Sequence, residues 1–128
     1  MWKRIIQQAR GKGSLTYQVK KSAFQYRIKY PMSEGEAEIL DLIHSAGHSA
    51  PLMKLKVKNE IFFNPAFNGA YIGQKISIGN TDSKQGNILK VSDMPTGTHV
   101  YNIELNPGDG GRMMRAAGTS ALIARKAE

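Results

Sequence analysis

The chain has 128 residues, a formal net charge of +8 and a pI near 9.8, a length that suits one compact domain or two very small ones. It contains no cysteine, which excludes a disulfide framework and a thiolate zinc site and fits a reducing compartment. No apolar run approaches the ~20 residues of a membrane span, and the charged N-terminus lacks the apolar stretch of a secretory signal.

Residues 1–32 read as a basic arm. Lys3, Arg4, Arg10, Lys12, Lys20, Lys21, Arg27 and Lys29 all precede Glu34, with no acid among them. This segment therefore carries about as much net charge as the whole chain, while acids and bases nearly cancel from Glu34 onward. A basic arm on a nearly neutral body is the layout of a protein held on a polyanion. Tyr17, Phe24, Tyr26 and Tyr30 are interleaved with the charges. Aromatic rings can stack on bases or ribose, which favours RNA over a merely solubilising tail. Residues 24–30 alternate at period two until Pro31, predicting an extended segment with its basic side chains on one face. Alone it would bury little, so mobility until binding is expected.

The body follows as a series of short strands. Residues 36–44 read as a strand by their Ile and Leu content, with a helix also compatible with the pattern alone, and Glu34, Glu36 and Glu38 alternate as a solvated face. Residues 45–49 form a loop, and Pro51 blocks any helix. Residues 52–58 alternate apolar against lysine, as in a half-buried antiparallel strand with a basic outer face. A turn near Asn59-Glu60 leads into a strand at 61–65, and residues 75–79 form another. The small polar residues 80–87 serve as a boundary. Beyond it, Pro95 and Gly97 mark a tight turn, residues 99–105 alternate as a strand, 106–111 form a loop, and 121–125 close as a strand. Short strands at close spacing predict an all-β fold of small β-barrels. The expected division is an arm at 1–32, an OB-like barrel at 33–85 and a further strand-bearing unit at 86–128.

The stretch from Pro107 to Gly118 carries the densest chemistry. Its glycines would let backbone amides approach phosphate closely. Arg112 and Arg115 supply guanidinium groups suited to bidentate phosphate contacts, and Thr119 and Ser120 add hydroxyls for sugar or phosphate oxygens. A hairpin loop with solvated arginines fits the pattern nearly as well. A nucleotide-binding P-loop does not, because the Walker spacing, the Lys-Ser/Thr pair and the βαβ setting are all missing. His44, His48 and His99 are the available metal ligands or general bases. No third ligand is evident beside His44, His48 and Asp41, so no metal site is expected. Ser45 and Ser49 lack a nucleophile-elbow motif. The sequence offers no convincing active site, and the expectation is a protein that is not an enzyme and takes no cofactor.

Three stretches together resemble the large-subunit ribosomal protein two family, archaeal and eukaryotic type. They are residues 3–14, the loop His44-Ser45-Ala46-Gly47-His48-Ser49-Ala50-Pro51-Leu52, and the run from Gly97 through Asn102-Ile103-Glu104, Asn106-Pro107-Gly108-Asp109-Gly110-Gly111 and Arg115-Ala116-Ala117-Gly118-Thr119. The resemblance runs in register over essentially the whole chain. It implies an arm threading into rRNA, an OB-fold, the start of an SH3-like barrel, and a cytoplasmic life on the ribosome. The implied partners are large-subunit rRNA and neighbouring ribosomal proteins, with no membrane and no small-molecule substrate. The implied role is structural, supporting subunit association and the peptidyl-transferase region without catalysing there. Arg115 matches the family arginine that contacts rRNA beside the Ala-Gly-Thr turn. At a second family arginine position this chain has His48, so an ion pair with phosphate there requires a protonated imidazole. Members continue beyond the position of Glu128 through the rest of the second barrel and a basic tail, so the expectation is a C-terminally shortened form. The alternative is a family-derived β-barrel fragment that folds, or forms a homodimer, without RNA.

Overall fold

The computed structural model describes residues 11–15, 17, 18, 20, 23, 25–79 and 82–126. The fold is all-β, with antiparallel strands and a short 3-10 helix at Val91–Asp93. Strands β1 (Gly35–Ile43), β2 (Leu52–Val57), β3 (Glu60–Pro65) and β4 (Lys75–Ile78) make a four-stranded sheet in the order β3-β2-β1-β4. Strands β5 (His99–Val100) and β6 (Ala121–Leu122) form a separate two-stranded ladder.

The lysine alternation foreseen at 52–58 is what builds β2. Met53, Leu55 and Val57 point inward and are buried, while Lys54 and Lys56 occupy the other face. They pack with Ala37 and Ile39 of β1, Phe62 of β3, and Ile76 and Ile78 of β4 into one apolar cluster. A period-two strand with one wet face dictates this arrangement. The β1–β2 register shifts between Ile39 and Asp41, so Leu40 is an extra residue in the ladder. This bulge reverses the parity of the strand. Without it Asp41 would fall on the core-facing side of Ala37 and Ile39; with it Asp41 pairs with Lys54 and Leu42 pairs with Met53.

The hairpin joining β2 and β3 turns one residue earlier than the sequence suggested. Lys58 takes a left-handed φ of 52° and Glu60 already pairs with Val57. The Glu60 carboxylate accepts the backbone N–H groups of Met32, at 3.1 and 3.2 Å, and of Ser33 at 3.3 Å. It thereby fixes the point at which the basic segment joins the sheet.

No ladder joins β3 to β4 among the described residues, so the expected barrel closure is not formed by strand pairing. Other segments cover those edges instead. Ile28 makes a parallel bridge to Phe63, the Lys29 N–H donates to the Phe63 carbonyl at 3.2 Å, and Ile28 is buried. On the opposite edge Ile88 bridges Ile78. An uncovered strand edge is a template for aggregation, and both covers remove part of that hazard. Ile28 and Tyr30 are thus packed into the body, unlike the freely solvated arm expected from their sequence neighbourhood.

The long alternating strand expected at 99–105 is cut short at Val100. Asn102 adopts a left-handed φ of 53°, which no extended ladder accommodates. The chain then folds back through an isolated bridge between Ile103 and Met113. The last strand stops at Leu122 for want of a further partner, although Ile123 still exchanges backbone hydrogen bonds with Gly97 and Thr98.

Candidate nucleic-acid interface

Three segments far apart in sequence meet at one hollow of about 570 Å³, lined by Tyr26, Arg27, Ile28, Gly47, His48, Ser49, Arg115 and Ala116. The first three belong to the basic segment on the edge of β3, the next three to the loop after β1, and the last two to the chain beyond the glycine loop. Each is held by a traceable contact. The Tyr26 ring leans on Phe63 with centroids 5.2 Å apart at 51°. The Gly47 N–H donates to the Ala23 carbonyl at 2.7 Å. Ser49 Oγ accepts the Ala117 N–H at 2.9 Å, tying the two loops together directly.

Arg115 is half-buried, and its Nε is shielded from solvent with no hydrogen-bond partner. An unsatisfied guanidinium donor in a concave site is costly unless an acceptor arrives. His48 lies in the same hollow, its Nδ1 2.7 Å from Ser45 Oγ. Partial burial and then the neighbouring Arg115 charge hold its imidazole below the ordinary histidine range. At neutral pH His48 is therefore a neutral hydrogen-bonding group, and the positive charge of the hollow comes from Arg27 and Arg115.

The glycine loop works differently from its appearance in sequence. Its amides are already engaged by acidic side chains. Glu104 accepts from Gly108 and Gly110 at 3.3 and 3.1 Å, and Asp109 accepts from Leu105, Asn106 and Gly111, each at 3.0 Å. The amides of Asn106, Gly111 and Leu105 pull the Asp109 carboxyl below its usual value. The glycines answer a packing need. A Cβ on Gly110 would come within 3.2 Å of Lys29 Cα, and one on Gly111 would lie 2.1 Å from Asn102 Oδ1. Close packing on the Lys29 backbone at Gly110 and on the Asn102 side chain at Gly111 explains these two glycines.

Asn102 is the centre of that packing. It is buried, its N–H donates to the Met114 carbonyl at 3.1 Å, and its side chain reaches Asn64 at 3.4 Å. Tyr101 donates its hydroxyl to the Pro65 carbonyl at 2.9 Å. Met114 precedes Arg115, and Ala117 follows it by two, so Arg115 is held from both sides. In the sequence Asn102 stands within the alternating stretch 99–105 and in the family resemblance, and nothing in that pattern marks it as a buried packing centre.

The remaining basic positions do not all converge. Arg27 and Arg115 meet His48, whereas Lys12, Lys20, Lys29 and Arg112 are exposed outside the lining of the hollow. Thr119 is exposed, and its hydroxyl donates to the Ala116 carbonyl at 2.7 Å. Lys3, Arg4, Arg10 and Lys21, together with the Phe24 ring, lie outside the described residues. Ser49 is engaged by the Ala117 N–H, and His48 Nδ1 meets Ser45 Oγ at 2.7 Å, so Ser49 is not the hydroxyl paired with His48. Among the described residues no group of three or more His, Asp or Glu side chains could hold a metal ion, and no helix is long and apolar enough to cross a membrane.

Comparison with known proteins gives these features a context. Residues 84–128 match the family described as Ribosomal Proteins L2, C-terminal domain. Over 125 residues the chain is 43% identical to the large ribosomal subunit protein uL2 of Picrophilus torridus, covering 96% of this chain and 53% of the relative. Against the protein of the same name from Sulfolobus acidocaldarius the identity is 39% over 131 residues, covering 99% and 55%. Against that of Thermoplasma acidophilum it is 42% over 125 residues, covering 96% and 53%. The chain spans about half the length of the curated relatives it matches.

Proposed function

The chain belongs to the archaeal-type family of large ribosomal subunit protein uL2, and on that premise we propose that it is a structural, non-enzymatic constituent of the large ribosomal subunit that binds large-subunit rRNA. Its place in the cell is then the ribosome, beside neighbouring ribosomal proteins. Support for subunit association and for the peptidyl-transferase region belongs to the same reading. The proposed RNA contacts are the basic side chains Lys3, Arg4, Arg10, Lys12, Lys20, Lys21, Arg27, Lys29, Arg112 and Arg115, with His48 and Thr119 as hydrogen-bonding groups. The proposed organisation keeps the arm at 1–32, the OB-type unit at 33–85 and the start of the second barrel at 86–128.

The observation that carries this reading is the convergence of Arg27, His48 and Arg115 on one hollow from three separate segments. Arginines gathered in a concave site, with one guanidinium donor unpaired, suit phosphate oxygens. The test is binding to an archaeal large-subunit rRNA transcript across a salt series. Affinity should fall steeply with salt, because neutralised phosphates release counterions. Arg115→Ala should weaken binding about tenfold, and Arg112→Ala by less. Unchanged affinity of Arg115→Ala at physiological salt would remove the hollow from the interface.

One observation favours a second reading, a family fragment that folds or dimerises without RNA. The β5–β6 ladder is two residues long and Leu122 is 55% exposed beside it. Such an edge could pair with a second copy. Light scattering of RNA-free protein decides between them, since a stable dimer whose mass is unaffected by RNA would favour the fragment.

A further inference from the structure

We propose that the hollow between Tyr26, His48 and Arg115 takes a single unstacked nucleotide, and hence that this face recognises looped or single-stranded RNA rather than a helix backbone. The inference rests on the rRNA-binding reading and names what that site selects.

Shape is the first argument. A hollow of about 570 Å³, broadly open to solvent, has a volume within the ~300–1,000 Å³ of small-ligand sites. A duplex offers a convex, continuous backbone that would touch only its rim. The deep, narrow major groove of A-form RNA shuts side chains out, and its wide, shallow minor groove offers base edges but no base face. An extruded base can enter a concave site.

The lining supplies the second argument, because its groups differ in kind. Tyr26 is an aromatic wall held in place by Phe63 behind it. Every base has a π-face, so such a wall accepts any nucleotide. Ile28, Gly47 and Ala116 add uncharged surface. Arg27 and Arg115 also line the hollow, and the Arg115 Nε–H is shielded from solvent and unpaired. His48 is uncharged at neutral pH through burial and the Arg115 charge, so the site is not uniformly cationic. A surface meant only for phosphates would need neither the ring nor the uncharged residues. An aromatic residue and two guanidinium groups lining one hollow match a base joined to its phosphate.

The test compares a fluorescein-labelled 12-nucleotide single-stranded RNA with a 12-base-pair RNA duplex, using the full chain at about 0.1 M salt. The single strand should bind several-fold more tightly. Tyr26→Ala should weaken the single strand about tenfold, the scale of one lost stacking contact, and leave the duplex unchanged. Tyr26→Phe should behave like the parent. Tyr26→Leu keeps apolar packing on Phe63 and should show the loss seen for alanine, which separates a missing π-face from a damaged fold. A 2-aminopurine at the centre of the strand should be quenched by the parent and not by Tyr26→Leu. Equal or tighter duplex binding, or equal losses on both RNAs, would overturn the inference while leaving RNA binding intact. Failure to bind either RNA, with Arg115→Ala indistinguishable from the parent, would overturn the underlying reading instead.

Discussion

The Tyr30 hydroxyl donates a 2.5 Å hydrogen bond to the Asn102 carbonyl, joining positions 72 residues apart. It ties the basic segment to the turn that sets Met114, and therefore Arg115, in place. Tyr30 belongs to the aromatic set that seemed suited to stacking, yet its hydroxyl serves the interior. The member of that set that lines the hollow is Tyr26.

The first prediction concerns this bond. Tyr30→Phe should lower stability by about 1 kcal/mol, the usual net value of one hydrogen bond, as read from urea denaturation. Burial, reinforced by Glu104, pushes the Tyr30 phenol up to about 12. Its folded value lies above its unfolded value, so its contribution is complete below pH 10 and is lost as pH rises towards 12. The parent should lose stability across that window more steeply than Tyr30→Phe. Identical slopes would mean that Tyr30 is not held in this way.

Glycines in one loop should respond unequally to alanine. Gly111→Ala places a Cβ on Asn102 Oδ1 at a φ of 97° and should cost at least about 2 kcal/mol. At Gly108 a Cβ meets nothing within 4 Å, and only the φ of 87° opposes it. Gly108→Ala should therefore cost about 1 kcal/mol. Equal melting temperatures for the two variants would refute the packing role assigned to Gly111.

His48 should make stability and RNA affinity respond to acid in opposite directions. Its folded value is depressed by burial and by Arg115, so the free protein should lose stability as pH falls below about 6.5, where the unfolded chain gains a proton first. Bound phosphate would favour the imidazolium, so RNA affinity should rise over the same window. His48→Gln should flatten both profiles. Melting and binding measured between pH 5 and 8 provide the check.

The core should be least forgiving at Phe62, which is fully buried and belongs to the cluster shared by the four strands of the sheet. Phe62→Ala should cost about 3–5 kcal/mol. Ile61→Ala, at a neighbouring position that is 45% exposed, should cost well under half of that. The pair tests the register of β3, since a slip of one residue would reverse the order.

Local pattern carried much of this in advance. The alternation of apolar residues with Lys54 and Lys56 made β2 legible, β1 was readable from its Ile and Leu content, β3 from its place after a turn, and β4 from alternation. Each strand's buried face is a period-two property of the chain itself. The basic character of residues 1–32 was equally plain, because net charge is additive and needs no fold.

What tertiary structure alone decided was which residues meet. The bulge at Leu40 turned Asp41 towards Lys54, a choice made by sheet pairing and invisible to an alternation count. Asn102 took a left-handed conformation and ended β5 early, because its backbone is held by Tyr30 and Met114 from opposite ends of the chain. The glycine loop, in which pattern left a phosphate cradle and a plain hairpin loop nearly balanced, has amides that Glu104 and Asp109 occupy. Arg27, His48 and Arg115 became one site only through contacts between segments tens of residues apart. Charge and periodicity are written along the chain; convergence is a property of its folding, and it is convergence that turns a basic sequence into a site.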